Sequence, residues 1–281
     1  MTKKDISTLV PDIYDVFLNH KTPSAEDVLT FGQEIMDSVV RQITEVRDRK
    51  QNLRLSQIGK GDRKIYYDLQ EDVERETIDA PTRIKFLFGD IIESLVVLLI
   101  KTSGHTLTDE QKEVIVNGVV GHMDGKIDGV VSDIKSASPF GYKKFLDGTL
   151  AQKDDFGYIP QVSSYAEAEG DTEAAFVVMN KVTGELALTM VHHMEMINAG
   201  DRVTHLKDMV ASEDTPDRCY PDVADGTSGN RVLHKNCGYC EYKEPCHQDI
   251  NNGMGLRKFQ YANGPRYFTL VVKQPQVQEI L

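Results

Sequence analysis

The chain has no tryptophan, and its four cysteines all fall between residues 219 and 246. It also lacks a basic excess: 44 Asp and Glu stand against 32 Lys and Arg, a formal charge of -12. That balance counts against a protein that grips nucleic acid over its whole surface, because phosphate contacts come from Lys and Arg. It leaves a local groove open, and it suits a site where carboxylates hold cations. No long apolar run is present. The most apolar stretch, Ile91 to Ile100, contains Glu93 and is too short and too polar to cross a bilayer. Residues Met1 to Phe17 lack the apolar core of a secretory signal. No low-complexity tract, repeat or Pro/Gly/Ser linker interrupts the sequence. These absences predict a cytoplasmic globular protein without a membrane segment. In such a compartment, four crowded cysteines point to metal ligation rather than to disulfides.

What is present is the ordinary balance of a folded chain: 281 residues, 40% hydrophobic and 27% charged, enough for one large domain or a core with helical decoration. Residues 24 to 50 read as a helix. Ser24 and Asp27 form a capping box, and Val28, Phe31, Ile35, Val39, Ile43 and Val46 recur at helical spacing. Residues 53 to 69 read as a glycine-punctuated loop entering a second helix. Pro81 starts another, running to about Lys101 and stopped near Gly104. Its later turns are apolar on nearly every side, as in a core helix. From Glu113 the pattern becomes Val- and Ile-rich and broken by glycines, as strands and turns are. A helix over about 160–170, a hairpin around Lys181–Gly184, a helix over about 203–212 and a closing hairpin around Ala262–Pro265 complete the reading. This order predicts an α/β fold: a central mixed β-sheet flanked by helices, with N-terminal helices over 1–80, a core over 81–200 and a C-terminal region over 201–281.

Four short elements carry chemistry. In Gly89-Asp90-Ile91-Ile92-Glu93, Glu93 lies one turn past Gly89 on the apolar helix. A carboxylate there needs a partner, a metal or an edge position in water. In Gly121-His122-Met123-Asp124-Gly125, a strand would turn His122 and Asp124 to the same side, while flanking glycines equally suit a turn at Asp124. In Asp133-Ile134-Lys135, acid and lysine share one strand face, either as a surface ion pair or as an oxygen ligand for a hard cation beside an ammonium. In Gln161-Val162-Ser163-Ser164-Tyr165, an amide and a phenol are helical neighbours. Each element alone has an unremarkable structural explanation.

Their order is more specific. Gly-x3-Glu, Gly-His-x-Asp, Asp-x-Lys and Gln-x3-Tyr in succession resemble the motifs of RecB-like nucleases in the PD-(D/E)XK superfamily, whose members include phage and CRISPR-associated exonucleases. The resemblance spans roughly residues 50 to 250 and implies a restriction-endonuclease-like core. It puts Glu93 at the first-motif position, where RecB carries a histidine. Asp124 and Asp133 fall on the metal-binding acids, Lys135 on the motif lysine, and Gln161 and Tyr165 on the additional Gln-x3-Tyr motif, in contact with DNA together with Arg63. His122 matches no assigned position; it is a candidate metal or phosphate contact, or a structural histidine. The implied activity is Mg²⁺- or Mn²⁺-dependent exonucleolytic cleavage of DNA ends, in recombination, repair or phage DNA metabolism. The alternatives are an endonuclease or a non-catalytic DNA-binding scaffold. DNA is the implied partner, with a homo-oligomer or a recombination protein as further candidates.

Cys237, Cys240 and Cys246 form C-x2-C-x5-C, with Cys219 upstream. Four converging thiolates suit zinc or a [4Fe-4S] cluster. The C-terminal C-x2-C-x5-C resembles the iron–sulfur members of the family and favours [4Fe-4S]. In those relatives the first cluster cysteine precedes the nuclease motifs. Here the comparable stretch reads Gly61-Asp62-Arg63, so Cys219 is the candidate replacement. His234 and His247 are the other candidate ligands.

Overall fold

The computed structural model describes residues 4–44, 52–212 and 214–280. In chain order the elements are α1 (Leu9–Leu18), α2 (Ala25–Thr44), α3 (Asp62–Leu69), α4 (Ala80–Ser103), β1 (Leu107–Thr108), β2 (Lys112–Val116), β3 (Val119–Met123), β4 (Gly125–Ile127) and β5 (Val130–Ala137). Then come α5 (Pro139–Leu146), α6 (Tyr158–Glu169), β6 (Glu173–Asn180), β7 (Leu186–His192), α7 (Ala199–Ala211), β8 (Val223–Ala224) and β9 (Arg231–Val232). Three one-turn helices, α8 (Lys235–Gly238), α9 (Lys243–Cys246) and α10 (Ile250–Gly253), precede β10 (Arg257–Tyr261), β11 (Gly264–Leu270) and β12 (Glu279–Ile280). The chain forms two compact units. The larger holds the described residues of Met1–Asp48, with Leu53–Gly59 and Ile78–Asp208; the smaller holds the described residues of Arg49–Asn52, Lys60–Thr77 and Met209–Leu281.

The larger unit is built on a five-stranded sheet in the order β1-β4-β5-β6-β7. Only β5 and β6 pair in parallel, from Val131↔Ala174 to Ala137↔Asn180, so the sheet is mixed. A parallel pair needs a crossover, and α5 and α6 provide it. Seven of the eight β6 residues are buried, the continuous apolar pattern of a strand covered on both faces. Ala175, Val177 and Met179 turn to the side of α1 and α4, where Leu9, Ile13, Val96 and Ile100 pack with Ile127 and Ile134. Phe176 turns the other way, onto Phe145 of α5 and Tyr158 of α6. The expected α/β class, with a mixed sheet flanked by helices and preceded by helices, is therefore the observed one.

Local signals explain the long helices. The Asp79 carboxylate accepts from Thr82 N at 2.9 Å, Pro81 sits in the first turn, and Gly104 closes α4 with φ 86°. Just beyond, the buried His105 ring is clamped between Asp128 (2.6 Å) and Asp12 of α1 (3.0 Å), tying α1 to the end of α4. The capping pair at Ser24 and Asp27 is present and opens α2; the expected extension of that helix over 45–50 lies outside the described residues. Two helices, α1 and α5, were not singled out by spacing. Both are short, and their stability comes from the sheet they cover.

The smaller unit carries an antiparallel sheet, β12-β10-β11-β9-β8. The expected hairpin of β10 and β11 is its centre, with Phe259 and Phe268 edge to face at 5.1 Å. A second cluster joins Tyr66 and Tyr67 of α3 to Tyr242.

Candidate active site

Strand β5 is the base of the site. Alternation turns Ile134 toward the α4 side, which leaves Asp133 and Lys135 facing α6. Asp133 is 0% exposed. Its Oδ1 accepts from Gln161 Nε2 at 3.1 Å, and Lys135 Nζ lies 2.6 Å from its Oδ2. That ion pair is the one partner Oδ2 has among the described residues, so a fully buried carboxylate oxygen rests on a single ammonium. Asp124 sits between β3 and β4, where its Oδ2 accepts from Ile134 N at 2.7 Å. Glu93 comes from α4 and accepts from Gln111 Nε2 at 3.2 Å.

Electrostatics bind these groups into one cluster. Burial pushes the Glu93 carboxyl up to about 7, with Lys135 lowering it and Asp133 raising it further. Burial, then Asp133 and Glu93, pushes Asp124 well above the usual carboxylate range. Burial also raises Asp133, against Lys135. For Lys135, burial works to lower the ammonium, but Asp133 and Asp124 outweigh it and hold it above its ordinary value. Three carboxylates therefore share one internal cation, and like charges in a desolvated site resist joint ionisation. Among the described residues, no three His, Cys, Asp or Glu side chains stand in ready-made metal geometry. Three buried carboxylates with one ammonium between them nevertheless fit a hard divalent cation with oxygen ligands.

Helix α6 stands over β5. Gln161 Nε2 also lies 3.1 Å from the Tyr165 hydroxyl, and Tyr165 is 1% exposed. Its ring fills the space beside Gly121, where a Cβ would lie 2.9 Å from Tyr165 Cε1; this is why a glycine opens the Gly-His-x-Asp element. Gln161 and Tyr165 thus act on Asp133 from behind. Tyr158, in the first turn of α6, was missed by motif reading, yet its ring lies 5.4 Å from Lys135 Nζ. Asp154 was missed too. Its two carboxylate oxygens accept from the backbone N–H groups of Phe156, Gly157, Tyr158 and Ile159 and so anchor the start of α6. An acid just before a helix was its available signal.

His122 is not brought to this cluster. It faces outward on the β2–β3 hairpin, 3.9 Å from Glu113. Arg63 belongs to the smaller unit, where its Nε donates to the Tyr67 hydroxyl at 3.1 Å. Cys219, Cys237, Cys240 and Cys246 are all free, and no metal-binding arrangement is formed among the described residues; the geometry gives the expected iron–sulfur cluster no support. Burial, then the thiols of Cys240, Cys246 and Cys219, pushes the Cys237 thiol up to about 12. A Cβ on Gly61 would lie 2.4 Å from Cys219 Sγ, so that thiol occupies the space a side chain at position 61 would need. His234 stacks on Tyr220 at 4.6 Å, and His247 Nδ1 is engaged with the Lys243 carbonyl at 2.9 Å.

No protein-family model matches the sequence, and no curated protein matches it. Among solved structures the chain is distantly similar to SSO0001, at 13% identity and TM-score 0.42 over 75% of this chain and 93% of that one. It is also distantly similar to an alkaline exonuclease, LHK-Exo, from Laribacter hongkongensis, at 12% identity and TM-score 0.34 over 58% of this chain and 86% of that one. The structure of LHK-Exo in complex with dAMP is similar at 14% identity and TM-score 0.32, over 55% of this chain and 91% of that one. No helix among the described residues is long and apolar enough to cross a membrane.

Proposed function

We propose that the protein is a divalent-metal-dependent deoxyribonuclease of the RecB-like PD-(D/E)XK type, acting as an exonuclease in DNA end processing, recombination, repair or phage DNA metabolism. The observation that carries this reading is Asp133: fully buried, ion-paired with Lys135, and grouped with Asp124 and Glu93. Glu93, Asp124 and Asp133 would hold Mg²⁺ or Mn²⁺. Such an ion would supply Lewis-acid polarisation of the phosphate and activation of water. Lys135 places its ammonium where negative charge develops on the phosphate. Gln161 orients Asp133 through Oδ1, and Tyr165 holds Gln161 in turn. The test is degradation of end-labelled linear DNA by wild type and by Lys135→Ala, with Mg²⁺ or Mn²⁺ and with EDTA. Cleavage by wild type alone, abolished by EDTA, is the expected result. Equal cleavage by both proteins overturns the assignment of the site. Cleavage of covalently closed circles as well as linear DNA makes the protein an endonuclease, and DNA binding without cleavage makes it a scaffold.

The cysteine site is a second reading in the same proposal. Burial raises the Cys240 and Cys246 thiols, opposed by Lys64 at the first and by Arg63 and Arg218 at the second, all within the unit that holds the four cysteines. Such cations suit the net negative charge of a tetrathiolate complex, either [4Fe-4S], favoured by the resemblance to the iron–sulfur nucleases, or Zn²⁺. Cys219 would be the ligand that stands in for position 61. Iron, zinc and sulfide analysis should find bound metal in wild type, a loss in Cys219→Gly, and recovery when Gly61→Cys is added, since the glycine clears both the Sγ and the Cβ that crowd position 61. Failure of Gly61→Cys to restore metal removes the stand-in role.

A further inference from the structure

One ring beyond Lys135, across Tyr158, the larger unit exposes an aromatic side chain that nothing in the proposed chemistry uses. Phe156 is 67% exposed. It is not a loose surface side chain. Its ring stacks on Tyr158 at 5.4 Å with an interplanar angle of 26°, and the same Tyr158 ring lies 5.4 Å from Lys135 Nζ. Tyr158 in turn leans on Phe145 and Phe176 of the core. The backbone beneath the pair is fixed as well, because Asp154 gathers the N–H groups of residues 156 to 159. A row of rings therefore leads from the core, past the ammonium of the candidate site, to a flat apolar face held open to solvent.

Keeping such a face exposed and rigid runs against the burial of apolar surface. It has a use if the ligand is flat, aromatic and attached to a phosphate. Every nucleobase has a face that can stack on Phe, whatever its sequence. We propose that Phe156 is the base-stacking platform of the site: it takes the nucleobase next to the scissile phosphate, leaving that phosphate at Lys135. The inference rests on the nuclease reading above and narrows its substrate. An unpaired base can turn freely to meet the Phe156 ring, whereas a paired base is held by its partner strand, so single-stranded or frayed ends are the preferred form over blunt duplex ends. Tyr158 is a positioning residue here, bracing Phe156 on one side and the ammonium on the other.

The experiment uses the full-length wild-type protein with Ca²⁺ in place of Mg²⁺, so that DNA can bind without being degraded and Lys135 stays in the site. Two single-stranded oligonucleotides carry 2-aminopurine as the 5′- or the 3′-terminal base. Fluorescence anisotropy of a distant dye reports binding, and 2-aminopurine emission reports stacking. The expected result is quenched emission with one of the two ends. Adding Phe156→Ala should abolish the quench and weaken binding about tenfold, the factor one base–aromatic stack carries. Adding Phe156→Tyr should retain both. DNA that binds without quenching, or a quench that survives Phe156→Ala, overturns the platform and leaves the nuclease reading intact. Absence of binding by every variant, on both oligonucleotides, overturns the site on which the inference rests.

Discussion

Asp124→Asn is expected to reduce DNA hydrolysis about 10³-fold while making the metal-free protein more stable at pH 8. The two effects have one cause. Asp133, Asp124 and Glu93 crowd around Lys135, and burial raises the carboxyl of each. With all three ionised, the cluster carries two negative charges beyond what Lys135 offsets. Replacing Asp124 removes one charge, keeps the shape and the acceptor for Ile134 N, and leaves the Asp133–Lys135 pair intact, relieving repulsion in a desolvated site for a gain of about 1–2 kcal/mol. Lys135→Met is the contrasting variant. It leaves three carboxylates with no internal cation and should cost about 3 kcal/mol at the same pH. Urea unfolding in EDTA measures both, alongside hydrolysis with Mn²⁺. An Asn variant less stable than wild type would show that the carboxylates are not in electrostatic conflict.

The second large effect is a coupling of pH and metal. Glu93 is held near 7 in the folded protein, against about 4.5 for an ordinary glutamate. A carboxyl that holds its proton more tightly when folded contributes stability that is full at low pH and is lost as pH rises from about 4.5 to about 7. The metal-free protein should therefore lose on the order of 2–3 kcal/mol over that interval. The stabilised acids titrate elsewhere: Asp12, held near 2 chiefly by Lys4 and Thr8, loses its contribution only in stronger acid. A divalent cation competes with the protons of the cluster, so it should stabilise strongly at pH 8 and little at pH 5. Glu93→Gln should flatten the pH slope. Unfolding curves at four pH values, with EDTA and with Mn²⁺, test this directly. A metal effect of equal size at pH 5 and pH 8 would sink it.

The chemical residues were legible because each motif combines a local period with a charge out of place. Asp-x-Lys on an apolar strand and Gln-x3-Tyr on a helix point to shared faces, and those faces do meet, through Gln161 and Asp133. The same logic misplaced one expectation. Alternation would have turned His122 and Asp124 the same way, but the strand ends at Met123. Asp124 therefore leaves the ladder and turns inward to Ile134 N, while His122 stays outside. Tyr158 and Phe156 carried no periodic signal at all, since a ring at a helix start reads as ordinary packing.

What the sequence alone determined were the lengths and types of the long elements, the alternating faces of β5, and the set of acids, lysine and amide that those faces could present. These are local properties, written within one or two turns or a few strand residues. Only the tertiary structure decided which of them share a desolvated volume. Glu93, Asp124 and Asp133 are separated by up to forty residues, and their raised carboxyls arise from burial and mutual repulsion that exist only after the sheet and helices close over them. The meeting of Cys219 with position 61, and the ring row from Phe176 to Phe156, are likewise contacts between distant segments. Spacing along the chain carries no record of such contacts, because long-range packing, not local conformation, brings the atoms together.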